Sequence, residues 1–109
     1  MSGTVSTSPG GTKQFYTTTN TFETRFGYHR AVRRGQYIFV SGTTSLNPET
    51  GSVDHPGDAR AQALAAFATA VQAIKALGGE GLADVVRVKM FVGVCISIFR
   101  LLLSTFLRA

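Results

Sequence analysis

Four apolar residues stand in a row at Tyr37-Ile38-Phe39-Val40, and polar or small residues frame them on both sides. A strand that is apolar at successive positions is covered on both faces, unlike an alternating one. Tyr28 to Arg34 suit a partner strand, with Arg34-Gly35-Gln36 as the tight connection and Gly35 supplying the positive φ that a short hairpin needs. Over 58–77 the pattern changes to helical spacing: Ala61, Leu64, Ala68, Val71, Ile74 and Leu77 form one stripe. Asp58 suits the N-cap of that helix and Gly78-Gly79 its stop. Residues 84–92 alternate, with Val86, Val88, Met90 and Val92 on one side. The pattern predicts a β-β-α-β unit in an α+β domain, the helical crossover being long enough for parallel pairing. A single helix covers only one face of the 37–40 strand. Its other face is therefore expected to meet a second copy of the chain.

The flanks carry a different pattern. Residues 1–22 are rich in Ser, Thr and Gly and read as a disordered arm. They lack the apolar stretch of a secretory signal, and their hydroxyls and few acids resemble a mitochondrial transit peptide only faintly. Residues 93–109 are dense in Ile, Leu and Phe around Arg100. From Met90 to Leu107 the chain nearly reaches bilayer-spanning length, but Arg100 near the centre costs about 2.5–3.5 kcal/mol on insertion scales. A membrane is not the expected partner.

A chain of 109 residues makes one small domain. Hydrophobic content of 44% against 16% charged residues excludes wholesale disorder. The single Cys95 excludes an internal disulfide and points to a reducing compartment, the cytoplasm. Two histidines without ligand spacing leave no zinc site, so no metal is expected. The net charge of +5 is concentrated locally at Arg25, Arg30, Arg33 and Arg34. Such a cluster suits an anionic metabolite or nucleic acid, yet no nucleic-acid motif accompanies it and a solvated strand face explains it better.

The segments FGYHRAVRRGQYIFVSGTT at 26–44, the Thr50-Gly51 turn, the Ala-rich helix opening at Asp58 and DVVRVKMFV at 84–92 follow an order that resembles the N-terminal half of the Rid (reactive intermediate deaminase), or YjgF, family. The resemblance covers 23–92 and stops at about Gly93. Residues 23–92 are thus expected to be an incomplete Rid-like domain, truncated to the β-β-α-β unit. Residues 93–109 are expected to be a non-homologous apolar tail, of the kind a frameshift or retained intron produces. The resemblance implies a chorismate-mutase-like α+β fold, a homotrimer, and sites in clefts between subunits. It also implies cofactor-independent hydrolysis of enamines or imines to 2-keto acids and ammonia. Tyr28 in GYHRAV and Ser41-Gly42 in VSGTT match the positions that line the family's cleft.

The chemistry gives each a reason. Tyr28 can orient substrate or water through its hydroxyl, Ser41 can hold a polar group, and Gly42 lets backbone approach a ligand. The family's carboxylate-gripping arginine and water-placing glutamate fall beyond the matched residues, and that role is not transferred to Arg100 or Arg108. Arg30 or Arg33 has the planar fork to bind a carboxylate. The expected activity is therefore an impaired deaminase, and the alternative is a Rid-like protein that binds a small metabolite without turnover. A Ser41/His29/Asp54 triad lacks a nucleophile context. Asp54, His55 and Asp58 read better as a loop and helix cap than as metal ligands.

Overall fold

Arg34 and Tyr37 pair across a two-residue loop whose first member, Gly35, has φ +59°. The hairpin expected there is present as β3 (Ala31–Arg34) and β4 (Tyr37–Val40). The computed structural model describes residues 3–91. Two further strands precede the hairpin, β1 (Gly3–Thr7) and β2 (Gln14–Thr18), and the antiparallel sheet runs β1-β2-β3-β4.

The arm at 1–22 is thus corrected: through residues 3–18 it is a hairpin. Its tip is closed by Ser8 N–H donating to the Lys13 carbonyl at 2.9 Å and by Gly11 at φ +71°. Gly3 pairs with Thr18, and a Cβ on Gly3 would come within 2.6 Å of the Tyr16 ring, so only glycine lets β1 cross there. Every residue of β1 is exposed, so its backbone ladder to β2, more than any apolar burial, holds it in place. Composition that lacks apolar alternation hides a strand of this kind.

A short helix, α1 (Thr21–Phe26), joins β2 to β3. Asn20 caps it, its side-chain oxygen accepting from Phe22 N–H at 2.9 Å, and Gly27 ends it at φ +71°. Residues 28–30 follow this helix outside any strand, so regular pairing begins at Ala31 and not at Tyr28 as expected. Arg30 N–H still donates to the Tyr16 carbonyl at 2.8 Å, which leads the chain into the sheet.

The long helix α2 (Ala59–Ala76) is where helical spacing placed it. Asp58 caps it by accepting from Ala61 N–H at 3.0 Å, as its place before the helix led one to expect. The buried part of the stripe is its C-terminal end. Ala73, Ile74 and Leu77 are buried, while Leu64 is 44% exposed and Ala68 is also exposed. The core is accordingly small: Tyr16, Ala31, Ala73 and Leu77, with Ile38 and Val40 packed against it.

Pairing of β3 with β4 puts Ala31 and Arg33 on the α2 side with Ile38 and Val40. Val32 shares the opposite side with Tyr37 and Phe39, which are 70% and 64% exposed. Among the described residues the 37–40 run is therefore covered on one face only.

Residues 84–91 do not form the expected strand. After a 3-10 turn at Leu82–Asp84 they run without ladder partners, and Val86 and Phe91 are almost fully exposed. Alternation marks a strand only where a sheet edge takes its backbone groups. Here β4 remains an edge among the described residues. The β-β-α-β order is thus replaced by β-β-α-β-β-α, still an α+β domain. Val92, Cys95, Arg100, Arg108 and the tail at 93–109 lie outside the described residues. No helix among the described residues is long and apolar enough to cross a membrane.

Candidate functional site

The residues that sequence singled out meet around one buried guanidinium. Arg30 is 2% exposed, and its Nη1 donates to the Gly42 carbonyl at 2.8 Å and to Thr43 Oγ1 at 3.0 Å. Its Nη2 donates to the Tyr28 hydroxyl at 3.1 Å, and its Cζ lies 5.4 Å from the centre of the Tyr28 ring. Ser41 Oγ donates to the His29 carbonyl at 2.7 Å, and Thr43 Oγ1 donates to the Ser41 carbonyl at 2.7 Å. Tyr28, Ser41 and Gly42 therefore sit on one connected network where β3 begins and β4 ends.

The network is anchored from α1. Gly27 turns the chain back so that Tyr28 N–H donates to the Glu23 carbonyl at 2.9 Å, while the Glu23 side chain points inward and is fully buried. Its carboxylate accepts from Thr18 N–H at 2.9 Å and from the Thr18 hydroxyl. Arg30 Nε stands 3.3 Å from Glu23 Oε2 as an ion pair, without the alignment of a hydrogen bond. Burial of a charge is tolerated only with such pairing. Burial, and after it the Glu23 charge, pushes the hydroxyl of neighbouring Tyr16 above the ordinary tyrosine value of 10.0.

Neither arginine considered for a carboxylate grip is free for it. Arg30 spends its fork on protein acceptors, and Arg33 donates to the Leu77 carbonyl at 2.7 Å and the Gly35 carbonyl at 3.0 Å. Arg33 thus closes the C-terminal end of α2, where a cation is favoured. The conceivable triad is not assembled. The His29 ring shares a 2.9 Å hydrogen bond with Thr17 Oγ1 and stacks on Phe15, and Asp54 faces Asn47.

Gly42 is exposed, and a Cβ added there would meet nothing within 4 Å. Among the described residues, space for a ligand beside the Gly42 backbone is open. A separate open groove of about 620 Å³ lies between the loop after β4 and α2, lined by Thr19, Thr44, Asn47, Glu49, Asp54 and Thr69. Tyr28, Ser41 and Gly42 do not line it.

Sequence reasoning missed Glu23 and Thr43. The only available signal was a lone acid seven residues before an arginine that opens an apolar strand, and spacing of that kind does not identify a pair without the fold.

The family described as endoribonuclease L-PSP matches residues 18–95. No curated protein and no solved structure matches the chain.

Proposed function

Because the chain belongs to the endoribonuclease L-PSP family, which is the Rid/YjgF family, and has its chorismate-mutase-like α+β architecture, we propose that it binds small 2-imino and 2-keto acids and acts as a slow, cofactor-independent imine or enamine deaminase. The observation that carries this reading is the gathering of Tyr28, Ser41 and Gly42 on the Arg30 network beside open space. In the reaction, water adds to the C=N carbon and the tetrahedral adduct expels ammonia. The carbon is left as a ketone, with no change of oxidation state. Tyr28 steers the substrate or the water through its hydroxyl, and Ser41 and the Gly42 backbone supply the neighbouring contacts on the same Arg30 network. Proton transfer passes through water, since Glu23 is committed to Thr18 and Arg30.

Slow turnover follows from the engaged arginines. With Arg30 and Arg33 both bonded to protein acceptors, neither supplies a strong grip on a substrate carboxylate. The same observation favours a second reading, a metabolite-binding protein without turnover. One experiment separates them: 2-iminobutanoate is generated in situ, and 2-ketobutanoate release is followed alongside equilibrium binding of 2-ketobutanoate. Release faster than the uncatalysed rate supports the deaminase. Saturable binding without faster release establishes the binder, and failure of both overturns the proposal.

Self-association belongs to the same proposal. Tyr37 and Phe39 stack with ring centres 6.3 Å apart on the uncovered sheet face, with Val32 beside them. An apolar face of that kind is expected to be covered by other copies of the chain, as a trimer in the cytoplasm.

A further inference from the structure

The direction of each hydrogen bond around Arg30 is fixed by chemistry, and this determines what the site offers a ligand. A guanidinium has only donors, so the 3.1 Å contact between Arg30 Nη2 and Tyr28 Oη has Arg30 donating and the phenol oxygen accepting. The Tyr28 proton must then go elsewhere, and no acceptor for it is found among the described residues. The rest of the network leaves Arg30 no freedom to release the phenol. Its Nη1 is held by Gly42 and Thr43, and its Nε stands against the buried Glu23 carboxylate. Thr43 is directed in turn, since it accepts from Arg30 and passes its own proton to the Ser41 carbonyl.

We infer that Arg30, anchored by Glu23, is a positioning residue that holds the Tyr28 hydroxyl as a hydrogen-bond donor to the ligand. This rests on the functional reading above and deepens it. The group that takes the Tyr28 proton is an acceptor, such as an imine nitrogen, a keto oxygen or a carboxylate oxygen. An ammonium group, a donor only, cannot take this proton.

The test uses the full chain with its tyrosines labelled with carbon-13 at Cζ; there are three tyrosines, so the signals are assignable by substitution. Arg30→Lys, which keeps the positive charge, should move the Tyr28 signal in the ligand-free protein and leave that of Tyr37 in place. In 2-ketobutanoate titrations Tyr28→Phe and Arg30→Lys should each weaken binding about tenfold, the worth of one well-placed hydrogen bond. The double variant should be no weaker than either single one, because the lysine acts only through the phenol. Additive losses, or an unmoved Tyr28 signal, overturn the inference. If Arg30→Lys fails to fold by circular dichroism, Glu23→Gln takes its place with the same expected and overturning results. If the wild-type protein binds no 2-ketobutanoate, the functional reading falls. The Tyr28 signal in the ligand-free variant then still decides whether Arg30 positions the phenol.

Discussion

Removing the Glu23 carboxylate is the sharpest perturbation available, because one buried charge, Arg30, and two donors depend on it. Glu23→Ala leaves the Arg30 guanidinium buried without a counter-charge, its side chain only 3% exposed. It also strips the Thr18 N–H and hydroxyl of their acceptor. Breaking one side of a buried ion pair costs about 3–5 kcal/mol, and the orphaned Thr18 donors place this case toward the upper end. A domain of this size has roughly 5–15 kcal/mol in total. The substitution therefore removes a large fraction of it and lowers Tm by about 12 °C or more. Urea unfolding followed by circular dichroism at one fixed protein concentration measures the loss, with an unchanged m-value expected. Replacing both partners, as Glu23→Met with Arg30→Met, should recover part of it, since neither charge is then stranded while the Thr18 donors still lack their acceptor. A Glu23→Ala cost below about 1 kcal/mol would refute the reasoning, for it would mean that water reaches Arg30 and that the pair is not the anchor of the site.

Gly78→Ala should cost about 1–3 kcal/mol in the same assay, because φ is +93° and the new Cβ would lie 2.6 Å from Arg33 Nη1, displacing the bond to Leu77; an unaltered midpoint counts against it. The raised Tyr16 hydroxyl makes the folded state hold its proton more tightly than the unfolded state. Its contribution is thus intact below pH about 10 and declines as pH climbs above that value, and Tyr16→Phe should flatten the decline in urea midpoints between pH 9 and 11. An identical slope in the variant rules this out. If the chain self-associates as proposed, Tyr37→Ser with Phe39→Ser should give a folded monomer in sedimentation, whereas a persistent trimer would place the interface elsewhere.

The sequence by itself determined those features whose cause is local. Gly35 between two strand-forming runs specifies the hairpin turn, and Asp58 followed by an alanine-rich periodic stretch specifies α2. The apolar run at 37–40 indicated a sheet face left for something beyond one helix, and Tyr37 and Phe39 are indeed bare. Tertiary structure decided the rest. The 3–18 hairpin is held by a ladder between backbones and carries no apolar signature, so composition could not reveal it. Alternation at 84–91 did not become a strand although β4 keeps an open edge among the described residues, since pairing is a property of two segments and not of one. The site shows the same division. Tyr28, Ser41 and Gly42 could be named from their motifs, but that Arg30 binds protein acceptors, and that Glu23 holds it there, depends on contacts between residues seven to thirteen positions apart. Hydrogen-bond direction and burial arise only once the chain has folded, and these, more than residue type, determine which proton Tyr28 has to offer.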